Sequence, residues 1–182
     1  SVNPVDYKIR ARPDPNSPQP RILGWDAAGI VREVGAGAQL FKPGDEVYYA
    51  GSIQKPGANS EFHVVDERIA GTAPTSLSDA QAAALPLTAI TAWEMLFDRL
   101  GIERGGARNC SLLIVGAAGG VGSIMVQLAR RLTGLTVIGT ASRPETADWV
   151  RRMGAHHVID HAKPIAGEFR HADLAAPDYV VS

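Results

Sequence analysis

Hydrophobic and polar positions change rhythm around residues 76–78 of this chain. Before that point, short alternating apolar runs stand between turn signals. "AAGIVREVG" (27–35), "DEVYYAG" (45–51) and "SEFHVVD" (60–66) each read as a β-strand, punctuated by clusters such as Lys42-Pro43-Gly44-Asp45. Short strands with this spacing predict a β-rich module, in the form of a partly open barrel. The segment "RPDPNSPQPR" (12–21) holds too many prolines for a helix or a central strand, and is expected to be a surface loop.

From Ser78 the apolar spacing becomes helical. "SDAQAAAL" offers a serine N-cap before an alanine-rich run, Pro86 interrupts it, and "LTAITAWEMLFDRLG" reads as a second helix ending at Gly101. An alternation follows: an apolar run at 112–116, a helix at 120–132, a strand at 136–141 and a helix at 144–154. Strands at 156–161 and 178–182 close it. Buried-type strands alternating with helices predict a parallel sheet built from crossover connections. The chain therefore divides into a β-rich domain at 1–86 and an α/β domain at 87–182. It opens in mid-motif without an initiator methionine and stops on what should be a central strand, so a fragment lacking both ends is expected.

Composition narrows the functional classes. Eighteen Lys and Arg against nineteen Asp and Glu give a formal charge of −1 over 182 residues, which argues against nucleic acid as a partner. No apolar run approaches the roughly 20 residues needed to span a bilayer, and no secretory signal is visible, so a cytoplasmic protein is expected. Cys110 is the single cysteine, which excludes an internal disulfide and a multi-cysteine zinc lobe. Asn109-Cys110-Ser111 fits a glycosylation sequon, read as chance in a chain without an export signal. No Ser/His/Asp or Cys/His constellation suggests a hydrolase.

The chemistry concentrates in "SLLIVGAAGGVGSIMVQLARR", Ser111 to Arg131. An apolar strand runs into Gly116, Gly119, Gly120 and Gly122, and a helix follows. Gly119 is expected to take the φ that the turn needs. Gly120 and Gly122 remove Cβ atoms where a diphosphate, or the neighbouring strand, must come close. The helix start supplies unpaired N–H groups and about half a positive charge. A GxxGxxG spacing alone is also compatible with a tight packing turn. The strand, the helix and a second strand at the right distance favour a dinucleotide, bound through Gly119, Gly120, Val121 and Gly122. The second strand ends in Thr140-Ala141-Ser142-Arg143, without the carboxylate that would accept from a ribose 2′-OH. Ser142 and Arg143 suit a 2′-phosphate, so NADP(H) is preferred. The other reading of Arg143 is a solvated residue before Pro144.

Ala117-Ala118-Gly119-Gly120-Val121-Gly122, with Gln127 and Arg130, resembles the signature of zeta-crystallin-like quinone oxidoreductases in the medium-chain dehydrogenase/reductase superfamily. "VNPVDYKIR" (2–10), "ILGWDAAGIVREVG" (22–35), "FKPGDEVYYAG" (41–51) and "AAALPLTAITAWEML" (82–96) extend the resemblance along nearly the whole chain. Cys110 departs from it, at a position outside the phosphate loop. The resemblance implies a GroES-like catalytic domain, a Rossmann cofactor domain and an active-site cleft between them. It also implies that Asn3, Tyr7 and Lys8 line the cleft near the nicotinamide and that Thr91 sits by its carboxamide or ribose. From the residues alone, Asn3 could be a turn residue, Tyr7 a packing residue, Lys8 solvated, and Thr91 bonded to its own helix backbone.

Zinc-dependent alcohol dehydrogenases of that superfamily bind their metal with Cys, His and a later Cys or Asp. This chain has Asn3 at the first position and Gly24-Trp25-Asp26 where Gly-His-Glu belongs, and neither Asn nor Trp makes a good zinc ligand. His156, His157 and His161 cluster around the third strand of the α/β domain, and His63 and His171 have no partner at ligand spacing. No metal is expected. The implied activity is hydride transfer from NADPH to a quinone or an α,β-unsaturated carbonyl, whose developing charge is delocalised. A zinc-dependent alcohol dehydrogenase and a non-catalytic, crystallin-like NADPH-binding protein are the alternatives. A homodimer is the implied state of the full-length protein.

Overall fold

The computed structural model describes residues 1–12 and 20–182, so most of the proline-rich segment expected as a surface loop lies outside the described residues. The chain forms two compact units, Ser1–Leu87 and Thr88–Ser182.

The first unit is built on three antiparallel strands, β1 (Asp26–Ile30), β2 (Glu46–Ala50) and β3 (Ala70–Thr72), in that order across the sheet. Asp26 pairs with Ala50, and Val47 sits opposite Gly29 on one side and Thr72 on the other. Trp25, Val47, Tyr49 and Ala82 form its buried apolar centre. Helix α1 (Pro4–Arg10) was not anticipated by apolar spacing, although Pro4 at its first position and an Asn-x-x-Asp start are helix signals. Ser78 caps α2 (Asp79–Ala82) as expected: its side chain accepts from Gln81 N, and Gln81 Oε1 accepts from Ser78 N at 3.0 Å.

The run at 60–66 is not a strand. Phe62 and Val64 are exposed, and the segment is tied instead through His63, whose Nε2 donates to the Pro56 carbonyl at 3.0 Å. That leaves Nδ1 to accept from the Tyr49 hydroxyl at 2.8 Å, with the two rings stacked. Alternation in the sequence was real, but no strand among the described residues pairs with it.

The second unit is a four-stranded parallel sheet of β4 (Ser111–Ile114), β5 (Thr136–Thr140), β6 (His157–Ile159) and β7 (Tyr179–Val181). Their order across the sheet is β6-β5-β4-β7. Helices α4 (Gly120–Leu132), α5 (Pro144–Met153) and α6 (Ile165–His171) connect them. Leu112 and Ile114 pack with Met125, Val126, Ala129 and Val150 in one apolar layer, while Leu113, between them, joins Ile138, Ile159 and Phe169 in the other. This is the two-residue period of a strand covered on both faces. After β6 the chain crosses back to place β7 on the far side of β4, so the strand order reverses between β4 and β7. Ligands of open parallel sheets bind outside the strand ends at such a reversal.

Helix α3 (Pro86–Trp93) starts one residue before the expected Leu87, with the proline itself at its first position, and does not continue as a regular helix to Gly101. Residues Glu94–Arg99 are π-wound, with Leu100 N donating to Met95 O at 3.0 Å. Leu96 within this wider turn and Ile102 just after it are both buried.

Close approach at the start of α4 fixes the geometry of the second unit. A Cβ at Gly122 would lie 2.5 Å from the Gly116 carbonyl oxygen and 2.7 Å from Ala117 Cα, both backbone atoms that cannot yield cheaply. Gly122→Ala is therefore expected to lower stability by about 1–3 kcal/mol, the range for overpacking. Gly29→Ala, where the added carbon would meet nothing within 4 Å, serves as the control. Denaturant melts of the two variants check this, and equal midpoints would contradict it.

Candidate functional site

The glycine-rich loop assembles where β4 ends. Gly116 carries the left-handed conformation, φ +73°, whereas Gly119 is extended at φ −72°, ψ 173° and serves as the N-cap of α4. The sequence-based expectation that Gly119 supplies the special φ is thus corrected: the chain reverses at Gly116, directly after the strand. Gly119 N donates to Gly116 O at 3.0 Å, and Ser123 N donates to Gly119 O at 2.8 Å. The N–H groups of Gly120, Val121 and Gly122 precede that first helical bond, and form the donor set expected at a helix start.

The glycines divide their work. Gly122 is there for packing, as its contacts with Gly116 and Ala117 show. Gly120 is exposed, and an added Cβ would meet only the Thr88 methyl, at 3.1 Å. Thr88 and Thr91 stand three residues apart on α3 and so share a helix face. Thr91 is half-buried. Gln127 is bonded within its own helix, Nε2 to Ser123 O at 3.1 Å, and Ser123 Oγ accepts from Trp149 Nε1 at 2.8 Å, joining α4 to α5.

Thr140, at the end of β5, was not singled out from the sequence. Fully buried, its hydroxyl oxygen accepts from Gly116 N at 3.0 Å and lies 3.0 Å from His161 Nδ1. It pins the turning residue of the loop to the adjacent strand. A hydroxyl closing a strand that otherwise reads "VIG" is the sequence signal that was available. Ser142 and Arg143 follow, both exposed, on the same edge of the sheet as the glycine-rich loop. The Arg143 backbone is held by Thr146, whose hydroxyl donates to Arg143 O at 2.8 Å. No ion pair among the described residues engages its guanidinium. Loop, Thr91, Ser142 and Arg143 thus belong to one unit.

Asn3, Tyr7 and Lys8 belong to the other. Asn3 is buried at the N-cap of α1, while Tyr7 and Lys8 are exposed. Asp6 closes a capping box, accepting from Asn3 N at 2.7 Å. The Asn3 side-chain Nδ2 donates to Asp26 Oδ2 at 3.0 Å, and the other oxygen of Asp26 accepts from Leu87 N at 3.1 Å. Burial pushes the Asp26 carboxyl above its ordinary range, opposed by the hydrogen bonds from Asn3 and Leu87. Asp6 Oδ1 is buried without a hydrogen-bond partner among the described residues.

The residues at the zinc positions do not fit that metal. Asn3 turns its amide nitrogen, not an oxygen, toward Asp26, and Trp25 is buried with its indole N–H 3.4 Å from the Lys55 carbonyl. Among the described residues no group of three His, Cys, Asp or Glu side chains could hold an ion. His156 and His161 are occupied within the second unit; His156 Nδ1 accepts from Val137 N at 2.8 Å, and burial holds its pKa below the ordinary value. No helix among the described residues is long and apolar enough to cross a membrane.

Comparison with known proteins agrees with this layout. Residues 1–83 match the alcohol dehydrogenase GroES-like domain and residues 120–181 match the zinc-binding dehydrogenase domain. A zinc-type alcohol dehydrogenase-like protein of Staphylococcus aureus is 45% identical over 182 residues, covering 99% of this chain and 53% of that protein. The 2-methylene-furan-3-one reductase of Solanum lycopersicum is 36% identical, covering 90% of this chain and 43% of that protein. Among solved structures, a candidate zinc-dependent alcohol dehydrogenase from Rhizobium etli is 57% identical with a TM-score of 0.89, covering 99% of this chain and 53% of its own. The Escherichia coli quinone oxidoreductase, complexed with NADPH, is 33% identical with a TM-score of 0.78, covering 94% and 51%. The chain spans about half the length of the relatives it matches.

Because the Gly120 position is open on all sides but one, Gly120→Val is expected to leave the fold intact while placing a branched side chain where a diphosphate would lie. Calorimetric titration of the whole protein with NADPH should show binding lost, with an unchanged circular dichroism spectrum. Unaltered affinity would mean that Gly120 serves packing alone.

Proposed function

The chain belongs to the medium-chain dehydrogenase/reductase superfamily, and from that premise we propose that the whole protein is a zinc-independent, NADPH-dependent reductase of quinones or α,β-unsaturated carbonyls. The observation that carries this reading is the occupancy of the metal positions: a buried asparagine amide bonded to Asp26, and a buried tryptophan. Neither supplies the Lewis acid that an alcohol oxygen requires. The names of the E. coli quinone oxidoreductase and the tomato furanone reductase support the same substrate classes.

NADPH, when bound, supplies the hydride. The N–H groups of Gly120, Val121 and Gly122 would hold its diphosphate, with the loop backbone fixed by the Thr140 hydroxyl. Ser142 and Arg143 would take the 2′-phosphate, and Thr91 the carboxamide or ribose. Asn3, Tyr7 and Lys8 are the residues proposed to meet the reacting carbonyl. The Asn3 amide keeps one N–H beyond the one given to Asp26, and a fixed donor of that kind stabilises charge growing on an oxygen. A conjugated acceptor needs little more, because its charge is spread over the conjugated system.

Oxidation of NADPH by a panel of small quinones and enones, followed with the whole protein, tests the reading. Turnover with at least one class is expected, and none with any acceptor would overturn it. Elemental analysis after chelator-free purification should find far less than one zinc per chain; one tightly held zinc would restore the metal-dependent alternative.

Arg143→Ala is expected to weaken NADPH binding about tenfold, or about 1.4 kcal/mol. Charge-assisted hydrogen bonds are commonly worth more than that, about 1.5–3 kcal/mol, but Arg143 is exposed and screened by salt. NADH affinity should hardly move, since its ribose carries only a hydroxyl there. Equal losses for the two cofactors would make Arg143 a support of the loop and not a reader of the phosphate.

A further inference from the structure

The buried carboxylate of Asp26 lies outside the roles assigned above. It sits at the first position of β1 and faces two donors that are far apart in sequence: Asn3 Nδ2 at 3.0 Å and Leu87 N at 3.1 Å. Leu87 follows Pro86, which has no N–H, so its amide is the first donor at the start of α3. Only a carboxylate answers both contacts. It is acceptor-only through two oxygens, whereas an amide of the same shape has one accepting oxygen and one donating nitrogen.

This has a consequence for Asn3. With both Asp26 oxygens committed as acceptors, the Asn3 side chain must turn its nitrogen inward. Its oxygen is directed away from Asp26, while the backbone N–H of Asn3 is held by Asp6. What the amide keeps is its second N–H. We propose that Asp26 is a positioning residue for the reaction, which fixes the orientation of the Asn3 amide so that this second N–H is the group offered to substrate oxygen. The proposal rests on the functional reading above. The charged side chain facing Asp26 is that of Asp6, whose effect is smaller than those of burial and the two hydrogen bonds.

The isosteric variant Asp26→Asn gives the sharpest test. Its single oxygen can satisfy Leu87 or Asn3, and its amine then faces the other donor. The Asn3 amide is expected to invert, presenting its oxygen inward and withdrawing the donor it holds toward Asp26 in the wild type. A lower melting temperature and a kcat reduced at least tenfold should follow, with the Kd for NADPH unchanged.

The exchanged pair Asn3→Asp with Asp26→Asn separates positioning from simple stability. Asn at position 26 can accept from Leu87 and donate to Asp at position 3, which restores the inner hydrogen bonds, but position 3 then has no N–H to offer. The exchange is expected to recover most of the melting temperature and none of the kcat. Recovery of both, or an Asp26→Asn variant with wild-type kcat, would overturn the proposal.

If the wild-type protein reduces no quinone or enone, the functional reading fails. The inverted amide still has its own readout. In protein labelled on asparagine side chains, the Asn3 amide protons should exchange slowly in wild type and change shift and exchange rate in Asp26→Asn. Unchanged Asn3 signals would refute the positioning role independently of turnover.

Discussion

There is no room for a side chain between the first turn of α4 and the loop that leaves β4, and the second unit depends on that. With Gly122 against the Gly116 carbonyl and Ala117, the helix can start within a few residues of the strand end. Its first N–H groups are thereby brought to the edge of the sheet where the strand order reverses. A second close approach repeats the device on β5, where a Cβ at Gly139 would lie 2.5 Å from Val150 Cγ1 and 2.9 Å from Ala117 Cβ. Helices α4 and α5 therefore both sit close on the sheet because small residues face them. Thr140 then converts packing into precision, since its hydroxyl anchors the N–H of the residue that reverses the chain.

Much of this half was legible in the sequence, because the signals are local. Apolar runs marked β4, β5 and β7, the glycine cluster marked the loop, and Pro144 and Gly154 bracketed α5. Local signals misled where they had no tertiary partner. The alternation at 60–66 is a good strand pattern, yet no strand among the described residues pairs with it and Val64 is left exposed. The assignment of the special φ to Gly119 failed for a related reason. Composition shows that a glycine-rich turn is present, but the glycine that bends is the one whose N–H is held by Thr140, 24 residues away in sequence.

The candidate catalytic half was harder to read. Asn3 was found through resemblance, and its surroundings were invisible beforehand because they are built from bonds spanning 23 and 61 residues. Asp26 looked like the remnant of a metal-binding segment. In the fold it is the point at which α1, β1 and the start of α3 meet, and burying its charge is tolerated because both oxygens receive hydrogen bonds. Tyr7 and Lys8, exposed on α1, carry no comparable constraint.

Replacing a thiolate and an imidazole by Asn3 and Trp25 changes what chemistry the proposed site can serve. A metal ion stabilises a full charge on one oxygen and so suits simple alcohols and aldehydes. A single amide N–H is worth far less, and it acts only if it is aimed before the charge develops. Substrates that spread their own charge, as quinones and enones do, lower the demand to what such a donor can supply. On this view the buried Asp26 carboxylate and the conjugated substrate are two parts of one compensation. The carboxylate fixes the direction of the remaining donor, and conjugation reduces how much that donor must do.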